Sequence, residues 1–390
     1  MINVLFDGLS KTIETQDYTY LLRSFVSILN AQGIPVDRLQ IPMNKYSGLR
    51  HPRYATILLN YVDNELSTLY ITHEALEQRI QTQADYLTTT PFAPVLNRTN
   101  AAHRMSLVGE VEYERLRELQ VEGYTDYASA TMLLPNGAAQ LFSIATKGTD
   151  GFYADLESKV ESLLPMFALC LYGAYQTDVA SALAETYLGV RTAENVLTGS
   201  IHRGSQDTLD AGIMFCDVRG FTAMSEKLGA KGVVTVMNDI FQIIEEEINP
   251  RNGEILKFIG DALLVVFPRC SEVSDEQVSE NMIQSALQSV IKVEELGRQL
   301  NLPLSVGFGC HLGSVLYGNI GTETRLDFTV MGPAVNLTSR LESMCKSLGT
   351  QLTVSKDVAQ SYGEYLQSFG VHSVKGVAEP VEIWGIPVNG

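Results

Sequence analysis

The sequence predicts an α+β fold whose C-terminal half is a split-βαβ, ferredoxin-like sheet, and three observations lead there. From Gly212 to Leu348, strand-like and helical patterns follow one another in the order β-α-β-β-α-β. Ahead of that lies a mixed α/β stretch whose clearest local signal is a hairpin. Between the two, the polar run from His202 to Asp207 interrupts the apolar periodicity. The chain is therefore expected to divide into a first domain over 1–183, a helical linker over 184–206 and a second domain over 207–390.

Taken in order, Thr19 to Gln32 sets Leu21, Leu22, Phe25, Ile28 and Leu29 at helical spacing, and Arg53 to Asp63 is β-branched and apolar enough for a buried strand. Tyr127 to Leu134 and Ala139 to Thr146 flank Pro135, Asn136 and Gly137, and an Asn-Gly pair supplies the positive φ angles of a tight reversal. A long helical pattern follows Asp150 and runs to about Leu183, with Leu163, Phe167, Leu171 and Tyr175 as a helix-packing or dimer seam. A second amphipathic piece covers Tyr187 to Ile201. Past the polar break, Gly212 to Asp217 is a short strand that ends in a carboxylate, and Thr222 to Ile248 is a helix interrupted near Gly229. Glu254 to Phe258 and Ala262 to Phe267 are strands joined through Gly260 and Asp261. Glu276 to Leu300 is a helix, Leu304 to His311 a strand and Ala334 to Leu348 a helix, with the helices expected on one face of the sheet.

Composition narrows the function classes. The 390 residues are 45% hydrophobic and 19% charged, a globular balance. The formal net charge is −17 with acid in excess in both halves, which repels a phosphate backbone and argues against nucleic-acid binding. Five cysteines without a CxxC pair exclude a disulfide scaffold or zinc ribbon and suit the reducing cytoplasm. The start of the chain lacks a basic segment followed by an apolar run, and the most apolar stretch, Leu163 to Tyr172, is about half the ~20 residues a bilayer requires. Membrane insertion is not expected. No GxxxxGK[ST] or GxGxxG sequence occurs. His51 and His73 stand alone and read as ordinary imidazoles.

Two carboxylates stand out by position. Asp217 closes one strand and Asp261 sits in the turn between two others; in a split-βαβ sheet the first strand lies beside the third, so both acids can reach one point at the sheet edge. Oxygen-only ligands favour a hard cation, Mg²⁺ or Mn²⁺, and two such ions are apparatus for in-line attack at phosphorus. Either acid alone would read as structural. The setting adds weight: Gly220 opens the way into a helix whose first amides, at Phe221 and Thr222, can hold phosphate.

Five segments in register resemble the class III adenylyl and guanylyl cyclases: FCDVRGFT (215–222), KFIGDALLVVF (257–267), GFGCHLGSVLYGNIG (307–321), TVMGPAVNLTSRLE (329–342) and VKG (374–376). The resemblance covers the chain from about Asp210 to the C-terminus. It implies that Asp217 and Asp261 bind two metal ions per site, that Asn336 positions the ribose, that Arg340 stabilises charge on the α-phosphate and that Lys375 grips the β- and γ-phosphates. It also places the purine readers at Lys257 and Thr329. A lysine only donates, which suits adenine N1; guanine N1 carries a hydrogen and would want an acceptor there. Threonine departs from the family's familiar aspartate and resembles a bacterial variant. The implied activity is conversion of ATP to cyclic AMP and pyrophosphate at composite sites of a head-to-tail homodimer.

Two other readings stay open: guanylyl cyclase activity, disfavoured by Lys257, and a catalytically silent nucleotide-binding module, disfavoured by the intact site residues. A diguanylate cyclase is excluded by the lack of a GG[DE]EF turn. The first domain has no catalytic constellation. It loosely resembles a GAF-type sensory domain by element order, and implies a small-molecule or ionic effector of unknown identity. Tyr187 to Gly204 resembles the transducing element that precedes many cyclase domains.

Overall fold

The computed structural model describes residues 1–44, 54–62, 65–72, 86–199, 206–269, 273–362, 366–377 and 379–387. His51, His73 and Cys270 lie outside them. The chain forms two compact units, Met1–Thr186 and Tyr187–Gly390.

In the first unit, helices α1 (Ile2–Thr15) and α2 (Thr19–Ala31) precede strands β1 (Arg38–Asn44), β2 (Tyr54–Val62), β3 (Glu65–Thr72) and β4 (Ala101–Ser106), helix α3 (Glu114–Val121), then β5 (Asp126–Leu133), β6 (Ala139–Thr146) and the long helix α4 (Leu156–Leu188). The sheet runs β3-β2-β1-β6-β5-β4, antiparallel throughout. Gly137, at φ +81°, turns the β5–β6 hairpin as its Asn-Gly pair requires. Leu163, Phe167, Leu171 and Tyr175 are all buried in this unit's own core, where Phe167 stacks on Phe25 at 3.7 Å between centroids. They are helix-packing residues.

The second unit comprises α5 (Val190–Leu197), β7 (Gln206–Arg219), α6 (Phe221–Ile248), β8 (Glu254–Ile259), β9 (Ala262–Pro268), α7 (Asp275–Leu300), β10 (Ser305–Gly321), β11 (Leu326–Met331), α8 (Pro333–Leu348), β12 (Thr350–Ser355), α9 (Lys356–Tyr362), β13 (Gln367–His372) and β14 (Val381–Pro387). The sheet order is β13-β14-β12-β10-β7-β9-β8, with β11 paired to β10. Around β7 all pairings are antiparallel: β7 with β10 and β9, and β9 with β8. The first strand thus lies beside the third, as the reading of the two acids requires.

Alternation along the strands separates two cores. Met214, Cys216 and Val218 of β7 and Leu263, Val265 and Phe267 of β9 join side chains of α6, α7 and α9. Their neighbours Ala211, Ile213, Leu264 and Val266 face the other way, with Val330 of β11 and Ala334 of α8. Each large side chain fully buried in this way contributes roughly 1.5–3 kcal/mol.

Three sequence expectations change. The helices do not share one face: α5 and α8 lie opposite α6, α7 and α9, because the glycines of β10 admit α8 against the backbone there. An ideal Cβ on Gly309 would stand 2.3 Å from the Glu342 amide nitrogen and 2.7 Å from the Thr338 carbonyl. Strands β7 and β10 are much longer than their apolar stretches suggest, since all 14 residues of β7 pair with β10 through polar and glycine positions. The second amphipathic piece shortens to α5: Tyr187 and Leu188 finish α4, and Gly189, at φ +82°, breaks the helix. As expected, α6 is interrupted at Gly229. No helix among the described residues is long and apolar enough to cross a membrane.

Candidate active site

Asp217 sits near the end of β7, directly opposite Ala262 on β9 and Gly307 on β10. Asp261 occupies the turn before β9, where Gly260 adopts φ +66° and the Asp261 carbonyl accepts from the Val218 amide at 3.2 Å. The two acids are therefore held together by the sheet ladder itself. Burial pushes the Asp217 carboxyl up from its ordinary value, the Asp261 charge adds to the rise, and Arg219 opposes it. Two half-buried carboxylates that repel one another, with oxygen donors only, fit a hard divalent cation. Among the described residues no group of three or more His, Cys, Asp or Glu side chains could hold an ion. The pair would hold metal only with further oxygens from a ligand or solvent.

Beside the acids, Gly220 at φ +74° leads into α6, whose first residues are Phe221, half-buried, and Thr222. The Thr222 side chain lies outside the described residues. Lys257 stands on β8 and reaches β11, where its ammonium is ion-paired to Asp327. Thr329 lies two residues along the same strand, so Asp327 and Thr329 share a face and Lys257 lies against it. Asn336 and Arg340 are one helical turn apart on the exposed side of α8. Lys375 is exposed in the turn between β13 and β14, closed by the Val377 amide on the Val374 carbonyl at 3.1 Å.

Comparison with known proteins bears on the family of the C-terminal unit. Residues 204–385 match the family described as adenylate and guanylate cyclase catalytic domain. The C-terminal unit is a class III nucleotidyl cyclase domain. An adenylate cyclase of Anabaena cylindrica is 29% identical over 205 residues, which is 48% of this chain and 38% of that protein. Adenylate cyclase 1 of Rhizobium meliloti is 29% identical over 179 residues, 44% of this chain and 27% of that one. The chain thus spans well under half the length of either relative. Among solved structures, the adenylyl cyclase CyaB of P. aeruginosa is 26% identical with TM-score 0.43, covering 48% of this chain and 97% of its own.

Within the cyclase domain the sequence reading missed three groups. Asp327 went unseen because β11 was not read as a strand. Glu342, on the inner side of α8, was passed over as the end of a motif. Burial pushes its carboxyl up to about 7, with Asp217 and Asp261 adding to the rise and Arg219 opposing it. The third is the contact set of α5. Thr192, 1% exposed, lies 3.3 Å from the Tyr317 hydroxyl, and Tyr317 meets Phe328 edge-on at 4.6 Å. The Arg191 amide donates to Glu254 at 3.2 Å. Helix α5 therefore touches β8, which carries Lys257, and reaches β11, which carries Thr329, through Tyr317 of β10 packed on Phe328.

Proposed function

We propose that the protein is a homodimeric adenylyl cyclase that converts ATP to 3′,5′-cyclic AMP and pyrophosphate, with the N-terminal unit as its regulator. The observation that carries this reading is the closeness of Asp217, near the end of β7, to Asp261, in the turn before the neighbouring β9, beside the glycine-led start of α6. Ions held there, Mg²⁺ or Mn²⁺, would supply the positive charge that lowers the pKa of the ribose 3′-hydroxyl and screens the phosphates.

The remaining work falls to side chains. The first amides of α6, at Phe221 and Thr222, offer donors to phosphate oxygens. Lys257 donates to adenine N1, while Thr329 and the neighbouring Asp327 carboxylate accept from the 6-amino group. Guanine would present an oxygen to those acceptors and a hydrogen to the lysine, so ATP is preferred. Asn336 orients the ribose so that O3′ faces the α-phosphorus in line with the departing pyrophosphate. Arg340 offers its fork to the charge that gathers on the α-phosphate, and Lys375 holds the β- and γ-phosphates.

Asn336, Arg340 and Lys375 are exposed, which suits donation across a two-fold interface to a partner's acids. The first unit, read as a GAF-like sensor for an unidentified effector, acts through the residues around Gly189 on α5, and so on the strands that read the base. Purified protein incubated with ATP or GTP and either Mg²⁺ or Mn²⁺ should yield cyclic AMP as the main product by mass spectrometry. Exclusive formation of cyclic GMP, or no cyclic product with any pairing, would overturn the assignment.

A further inference from the structure

Gly307 lies directly opposite Asp217, so a side chain there would rise from the same face of the sheet. That space is taken. An ideal Cβ on Gly307 would stand 2.6 Å from Nη2 of Arg219 and 3.0 Å from Oε1 of Glu342. Arg219 is itself anchored to the Thr350 carbonyl at 3.0 Å. Glu342 is brought in from α8, which the missing side chain of Gly309 allows to lie on the β10 backbone. One bare stretch of strand therefore collects a third carboxylate and a single guanidinium around the two acids.

We propose that Glu342 is a positioning residue of the cation cradle: it stays out of the coordination sphere and adds its negative charge across Gly307 to the field of Asp217 and Asp261, so setting how tightly divalent ions are held. This rests on the cyclase reading of the two acids. Glu342 is not placed as a ligand, because among the described residues no three acidic side chains come close enough to hold an ion. Its charge is only partly offset by Arg219, which among the described residues is the guanidinium that three carboxylates share. Glu342 also shares its helix with Asn336 and Arg340, on the side turned away from them. The helix that offers those two groups outward is thus the one held against the acids of its own subunit.

The test is Mn²⁺ binding to the full chain without nucleotide, followed by the electron paramagnetic resonance of free ion, with Asp217→Ala as the null. Glu342→Gln keeps the shape and removes the charge; it should weaken Mn²⁺ binding about tenfold, as the loss of one charge outside the coordination sphere of a divalent ion implies. In turnover it should raise the Mn²⁺ requirement by a similar factor, while kcat at saturating metal and KM for ATP stay within about twofold. Glu342→Asp should restore most of the affinity, and it serves alone if the glutamine variant does not fold. Unchanged Mn²⁺ binding in Glu342→Gln, or an Asp variant as weak as Asp217→Ala, overturns the proposal. If the wild type binds Mn²⁺ yet forms no cyclic nucleotide, the cyclase reading fails and the charge argument stands; if it makes cyclic AMP and Glu342→Gln binds Mn²⁺ normally, the reverse holds.

Discussion

At Asp217, burial and the neighbouring Asp261 raise the proton affinity of a carboxylate whose proposed task is to stay ionised, while Arg219 restrains the rise. Glu342 feels the same forces more strongly, and its folded-state value of about 7 lies above its ordinary 4.5. For such a group the folded state binds the proton more tightly than the unfolded state, so stability is full below about 4.5 and is lost as pH climbs towards 7. The metal-free protein should therefore melt at progressively lower temperature between pH 5 and pH 8, and Glu342→Gln should flatten that slope; differential scanning fluorimetry in chelator reads both. Base selection lies at the same scale. Lys257→Glu replaces the donor with an acceptor, and should lower kcat/KM for ATP at least tenfold while raising it for GTP, as product assays on both nucleotides would show. The closeness of Asp217 and Asp261 was legible in the chain because each ends or joins a strand-like run. Glu342 was not, since its closeness to them depends on glycines in a different strand.

Among the elements, α8 carries the most consequence. Its inner side is fixed by Thr338 and Leu341, both 0% exposed, and by the Cys345 thiol on the Phe308 carbonyl at 3.2 Å. Its outer side bears Asn336 and Arg340. Gly309→Ala would set a methyl against backbone atoms that cannot rotate aside, so the helix must move. Such overpacking costs about 1–3 kcal/mol. It should lower the melting temperature by several degrees in a unit of this size, and reduce kcat by more than the unfolded fraction explains. Melting curves and kcat on one preparation separate the two effects. The sequence marked the periodicity of α8 but not the side of the sheet it takes, because an amphipathic pattern says which residues are inward and nothing about which of two sheet faces receives them. The ends of β7 and β10 were hidden for a related reason: ladder hydrogen bonds need only backbone, and Gly313, Asn319 and Gly321 carry no apolar signal.

At the level of the whole molecule, the division at Thr186 separates a unit with its own core from the cyclase domain. A two-fold assembly with shared sites makes a quantitative demand. Asp217→Ala and Arg340→Ala should each be inactive alone. When the two are co-expressed, the mixed dimer has one site with both defects and one with neither, so about a quarter of wild-type turnover should return. Failure of complementation, with mixed dimers shown by differential tags, would mean that each chain serves itself.

Helix α5 touches Glu254 at the head of β8 and, through Tyr317 and Phe328, the middle of β11, the two strands proposed to read the base. The contacts of the cyclase domain therefore begin at Gly189 and not at the start of β7. A chimera that grafts a foreign domain ahead of Gly189 keeps the support of β8 and β11 whole, whereas one spliced at Gln206 removes a strut from it.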